Sequence, residues 1–199
     1  MALFQNYGKD LKGYMNPFWI EPAKRDVMGY KLSGVEAGTV IPAGTPIKTD
    51  EAAKTAVICK YAVVLAVAAD KKTLTVQDGH FFKASDKCAI SGEKSLTQLT
   101  IASAEDEQIV LSDSNNSIKA GSVLVEVATS GSVVAPVALP NRIVCAKAEI
   151  DELDKTCSAA HSGVVLANVV NYPEEYLNKT AFPGSVYLVG CAGLLFTIQ

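Results

Sequence analysis

The chain has 199 residues, of which 49% are hydrophobic and 20% charged, and its formal net charge is −3. This length and composition exclude a disordered tail and allow one large or two small domains with a real core. The mild negative charge argues against nucleic acid as the main partner, and the longest apolar runs are shorter than the roughly 20 residues of a membrane-spanning helix.

The first thirty residues differ from the rest because they are rich in aromatic side chains. Six aromatic residues fall there, while glycines and prolines interrupt any helical or strand period. A segment of this kind is typical of a chain that lies extended across another surface. We therefore predict an extended N-terminal anchor over residues 1–30, whose contacts with another protein are made by Phe4, Tyr14, Phe18 and Trp19. The alternative is that this segment caps its own chain.

Residues 31–130 are predicted to form one β domain. A turn pattern recurs there, as GTVIPAGTPIKTD at 38–50, VQDGHFFKASD at 76–86 and IKAGSVL at 118–124. Gly44, Gly79 and Gly121 occupy the turns, because glycine tolerates the positive φ of a tight reversal and the flanking β-branched residues favour strands. The predicted strands cover residues 39–41, 46–48, 56–68, 73–77, 81–82, 96–102, 108–111 and 123–127.

Residues 131–199 are predicted to form an α+β C-terminal subdomain. Two prolines, Pro136 and Pro140, indicate a linker or a subdomain boundary over 129–140, because proline cannot sit in a central strand. Residues 148–155 have helical propensity, Pro173 could begin a single helical turn, and strands are expected at 185–188 and 194–198. The predicted fold class is mainly β, a small barrel or sandwich with a short α+β C-terminal piece.

No residue is predicted to be catalytic, cofactor-binding or metal-binding. Cys157 and His161 are four positions apart, as a nucleophilic dyad on one helical face would be, but no orienting carboxylate is specified. The five cysteines are scattered and never form a C-x-x-C pair, which favours free thiols in a reducing cytosol. The acidic residues near 150 lack the spacing of a calcium loop. No signal peptide is predicted at the N-terminus.

Several motifs in chain order resemble the head fibre proteins of tailed phages. They are the turn at 38–50, CKYA at 59–62, GHFFK at 79–83, PNRI at 140–143 and Tyr172-Pro173, followed by a closing apolar strand. The resemblance spans about residues 30–199. It implies a homotrimer that decorates the outer capsid and contacts the major capsid protein, with no cofactor, catalysis, nucleic acid or membrane. It also implies assembly in the host cytoplasm and a place on the virion surface.

The alternative functions are a carbohydrate- or small-ligand-binding β-domain and a β-barrel enzyme subunit. Binding modules usually expose aromatic side chains on their strands. The predicted β domain has few of them, Tyr61, Phe81 and Phe82, which disfavours the binding alternative.

Overall fold

The computed structural model describes residues 19–166, 170–179 and 185–197, without the side chains of 19–22 and 166. These residues are mainly β and form several sheets, as the composition and turn pattern predict. Among them, a single 3₁₀ turn at Glu174–Tyr176 follows Pro173, where the sequence predicts a helical turn.

The larger sheet has ten strands among the described residues. In chain order they are β1 (Trp19–Arg25), β2 (Tyr30–Leu32), β4 (Pro46–Asp50), β5 (Thr55–Ile58), β13 (Arg142–Val144), β15 (Thr156–Cys157), β16 (Ala159–Leu166), β17 (Leu177–Asn178), β18 (Val186–Leu188) and β19 (Cys191–Thr197). Nine of them follow one continuous order, and β1 pairs on the side with β16. Most neighbours are antiparallel, but β2 with β5 and β16 with β19 are parallel.

The second sheet closes on itself. Its strands are β6 (Tyr61–Val67), β7 (Thr73–Val76), β8 (Lys87–Ile90), β9 (Leu99–Glu105), β10 (Gln108–Leu111), β11 (Val123–Ser130) and β12 (Val133–Pro136). Antiparallel pairing runs β6–β7–β10–β9–β8–β11 and returns to β6, so six strands make a closed barrel. Closure removes the free edges of an open sheet. Only β12 lies outside the ring, paired with the end of β11.

A short third sheet pairs β3 (Val40–Ile41) with β14 (Ala148–Glu149). The described core has three apolar clusters. One fills the barrel, one lies against β2, β4 and β5, and the largest joins the two large sheets. In that joining cluster Tyr61 of the barrel meets Tyr172 and Tyr176 edge-on, at ring-centroid distances of 5.5 and 6.3 Å. The hydroxyls of Tyr61 and Tyr176 donate to the carbonyls of Val170 and Lys60, so these buried rings leave no polar atom unsatisfied.

Four local expectations are wrong. The single strand expected over 56–68 is two strands, β5 (Thr55–Ile58) and β6 (Tyr61–Val67), which lie in different sheets. Phe81 and Phe82 are not a strand, because Phe81 has φ 60° and the pair sends Phe82 into the barrel core and Phe81 against the neighbouring cluster. The linker expected over 129–140 is largely a hairpin of β11 and β12, with Gly131 at φ 62° in its turn and Pro136 tolerated on the outer strand. Residues 148–155 form β14 and a turn instead of a helix, since Asp151 accepts hydrogen bonds from the backbone of Leu153 and Asp154.

The three predicted turn glycines are confirmed. Gly44, Gly79 and Gly121 have φ of 88°, 87° and 87°, and each lies between strands. The predicted boundaries at residues 30 and 130 stay a prediction. Ladders cross both of them, because β1 pairs with β16 and β4 pairs with β13.

Candidate functional site

A polar network at the end of β1 joins five parts of the chain. Asp26 follows β1 and accepts hydrogen bonds from Tyr30 Oη at 2.8 Å and from Arg142 Nε at 2.8 Å, both at Oδ2. His161 Nδ1 lies 2.8 Å from the other oxygen, Oδ1. Glu51 completes the network, with its Oε1 2.6 Å from Tyr30 Oη and 2.9 Å from the Arg142 guanidinium. The network fixes β1 to β2, β13 and β16.

The electrostatics of this network favour the ionised carboxylate. Burial alone would raise the pKa of Asp26, but the hydrogen bonds from Arg142, Tyr30 and His161 outweigh it and hold that pKa below its usual value. Burial and the two carboxylates raise the pKa of Tyr30 well above its ordinary range, so this hydroxyl remains a donor. Burial opposes the charge of Arg142, yet Asp26 keeps its pKa raised. The network therefore keeps Asp26 and Arg142 charged and paired, which stabilises the contact between the strands that carry them.

The cysteine and histidine that the sequence places four apart serve different partners. Cys157 is buried opposite Tyr30, and burial raises its thiol pKa to about 12, which opposes the thiolate that a nucleophile needs. His161 turns its ring toward Asp26 instead. His80 accepts from the Phe82 N–H at Nδ1, leaving Nε2 to donate to the Glu105 carbonyl at 2.9 Å. Its buried ring therefore fixes the 80–86 loop.

A groove of about 710 Å³ lies between the β2–β5 region and the barrel. One wall is built from residues 33–36, 48–50 and 55–58, and the other from residues 81–83 and 137–138. In the groove, Lys60 Nζ binds Glu126 Oε1 at 2.7 Å and also Asp86 Oδ2 at 2.8 Å. Across its mouth, Lys83 Nζ meets Glu36 Oε1 at 2.7 Å. Its volume falls within the range of small-molecule sites.

Of the four predicted anchor residues, the structure describes only Trp19. Phe4, Tyr14 and Phe18 lie outside the described residues. Trp19 begins β1, and its backbone pairs with Val165 of β16. The anchor role of all four residues stays a prediction.

Two further observations concern only the described residues. No group of three or more His, Cys, Asp or Glu side chains is placed to hold a metal ion in 19–166, 170–179 and 185–197. Over the same ranges, no helix is long and apolar enough to cross a membrane.

No protein-family model, curated protein or solved structure matches the chain.

Proposed function

We propose that the chain is a virion structural protein, a head fibre that decorates the outer capsid of a tailed phage as a homotrimer and catalyses no reaction. The observation that carries the proposal is the way the root of the N-terminal segment is fixed. β1 lies antiparallel along β16, and Asp26 at its end is bound by Tyr30, Arg142 and His161. We call β1 together with Asp26 the root of the N-terminal segment. A segment that attaches a protein to a capsid must be fixed firmly where it joins the folded domain, because any force on the segment acts on that junction.

The chemistry of the described residues supports the same proposal. Cys59, Cys88 and Cys157 are buried, and burial raises the pKa of each thiol to about 12. Both ring nitrogens of His80 and the Nδ1 atom of His161 are engaged in structural contacts. Lys60 and Lys83 in the groove are both bound by carboxylates. These arrangements stabilise a rigid body more readily than they activate a substrate.

Deleting residues 1–18 tests the anchor role and leaves β1 in place. We expect the shortened chain to lose binding to capsids of the phage that encodes it, while its melting temperature stays within a few degrees of the full chain. Cosedimentation with capsids assembled without the protein measures the first, and thermal denaturation the second. The matched control is the full-length chain with Lys9→Ala, which keeps the aromatic residues. Capsid binding retained after the deletion would refute the anchor role.

The groove favours a second candidate function, binding of an uncharged oligosaccharide. Its Lys60 and Lys83 are each paired with carboxylates, so the groove has little net charge to attract an ionic ligand. Val57 lines it with 40% of its surface exposed, beside the aromatic Phe81. Saccharides present hydroxyls and apolar faces together, which suits paired polar groups beside solvated apolar side chains.

Titration with maltohexaose, cellohexaose and N-acetylchitohexaose tests this second candidate. We expect one of these sugars to shift the amide NMR signals of groove residues at low-millimolar concentration. Val57→Lys should abolish the shifts, because it places a long charged side chain in the groove. Leu65→Lys is the matched control, since Leu65 is 55% exposed on β6 and does not line the groove. Shifts absent with all three sugars, or unchanged in Val57→Lys, would reject the site.

A further inference from the structure

The outer strand β12 and the residues after it expose an unusual apolar row. Residues 133–140 read VVAPVALP, with no charged or hydrogen-bonding side chain. Burial alternates strictly along them, so that one set faces inward while the other faces solvent. The outward set is Val133, Ala135, Val137 and Leu139, which we call the β12 row. Val133 is 63% exposed and Val137 53%.

The surface beside this row on β11 is also neutral. Ser130 lies opposite Val133 and Ala128 opposite Ala135, and both are exposed. The first charged neighbour is Glu126, whose carbonyl accepts from the Val137 N–H and whose carboxylate is bound to Lys60. A chain that is 20% charged thus leaves an uncharged face on β12 and the paired end of β11. Exposed apolar faces of this kind mark protein contacts.

Proline determines how this face can be used. Because the Val137 N–H points to β11, the neighbouring Pro136 would direct an N–H toward the free edge, but proline has none. A strand added at this edge would therefore lack one ladder hydrogen bond, which is a known protection against edge-to-edge pairing. The side chains of the β12 row remain as the contact surface.

We propose that the β12 row is the surface through which copies of this chain associate, each row packing against the same row of a neighbouring copy. This inference rests on the proposed homotrimer and names its interface. Where a row packs against the same row of a neighbouring copy, a charge in the row lies close to the identical charge of that copy, so such a row must be neutral or carry both signs in matched places. The β12 row and its β11 neighbours meet that condition. Three rows around a three-fold axis bury all of them at once.

A row of four side chains can form only the centre of an interface. An exposed apolar patch on a single chain covers a few hundred Å², whereas a stable contact buries about 800 Å² on each partner. The surface around the row must therefore join the contact. A central aliphatic row with a small, uncharged border is the usual core of such an interface.

Val133→Lys tests the proposal, because it adds one like charge per copy at the centre of the contact. We expect native mass spectrometry and light scattering to show an associated wild type at tens of micromolar. The variant should dissociate at least about a hundredfold more readily. Its circular dichroism should be unchanged, since Val133 is exposed. Leu65→Lys is the matched control and should associate like the wild type.

A cysteine variant gives an independent measurement. Under mild oxidation Ala135→Cys should form disulfide-linked dimers, because each row meets its own copy, while Leu65→Cys and the wild type should not. A wild type that is associated while Val133→Lys stays equally associated, or equal cross-linking at 65 and 135, overturns this inference and leaves the homotrimer standing. A monomeric wild type overturns both the inference and the homotrimer, whereas capsid attachment is decided separately by the deletion of residues 1–18.

Discussion

Replacing Gly193 with alanine should destabilise the protein by about 3 kcal/mol, at the upper end of the range for a steric overlap that forces the backbone to shift. Gly193 lies inside β19, which pairs in parallel with β16. A Cβ atom on Gly193 would overlap the carbonyl oxygen of His161. Because that neighbour is backbone, no side chain can rotate away, and the two strands would have to separate. Urea denaturation gives the change in free energy of unfolding.

The control for this variant is Ala192→Ser. Ala192 precedes Gly193 in the same strand and is exposed, so the added hydroxyl should change the free energy of unfolding by less than about 0.5 kcal/mol. The same His161 carbonyl accepts from the Cys191 thiol at 3.0 Å, which shows how closely β19 approaches β16. Equal stability of Gly193→Ala and Ala192→Ser would refute the steric role of Gly193.

The fold class could be predicted because its signals are local. β-branched runs separated by glycine turns specify short strands, and Gly44, Gly79 and Gly121 have the positive φ that their turns require. The role of Gly193 could not be predicted in the same way. The sequence places a strand only at 194–198, which leaves Gly193 outside it, whereas β19 already begins at Cys191. A glycine that allows a neighbouring strand to approach closely cannot be distinguished, from the sequence alone, from a glycine that ends a strand.

The strand boundaries failed where tertiary contacts override local preference. β8 contains Lys87 and Cys88 and has little strand character of its own, but the barrel closes through its pairing with β9 and β11. Acidic residues after β14 resemble a helix start, yet in the structure Asp151 caps a turn. Hydrophobic periodicity and strand propensity describe one strand at a time, whereas closure of the barrel depends on the pairing of all six strands.

The sequence gives no signal for the Asp26 network either. Asp26 and Arg142 are 116 positions apart, and His161 is 135 positions from Asp26. Each of these residues alone resembles an ordinary surface charge. They meet because β1 and β13 both lie beside β16. The groove was missed for the same reason, since its two walls come from different sheets.

Asp26→Asn should also destabilise the protein strongly, by about 3 kcal/mol at neutral pH. The side chains of Asp26 and Arg142 are mostly buried, with 14% and 18% of their surfaces exposed. The amide removes the negative charge and leaves the guanidinium paired only with Glu51, which is half exposed. The amide also presents a single acceptor oxygen, whereas the carboxylate presents two oxygens to the three groups Tyr30, Arg142 and His161. Glu51→Gln is the matched control. It should lower the free energy of unfolding by less than about 1 kcal/mol, because the Glu51 carboxylate that it replaces is half exposed to water.

The pH dependence separates the charge from the packing. The pKa of Asp26 is lowered in the folded state from a reference of 3.8, so the folded protein is stabilised wherever the carboxylate is ionised in both states. That stabilisation is fully present above about pH 5 and is lost as the pH falls below about 4, toward the folded pKa. The difference in unfolding free energy between wild type and Asp26→Asn should therefore narrow from pH 5 to pH 3. A constant difference would mean that shape, and not the ionised carboxylate, determines the loss.

The same variant connects the network to the root of the N-terminal segment. Lys24 and Arg25 are exposed at the end of β1, directly before Asp26. When Asp26 no longer holds Arg142 and His161, β1 should detach from β16 more often, because local opening follows the stability of the contacts that close it. Trypsin should then cleave after Arg25 faster in Asp26→Asn than in Glu51→Gln under native conditions. Equal cleavage rates would show that β1 is held by its ladder with β16 alone, and that the polar network does not secure the root of the proposed anchor.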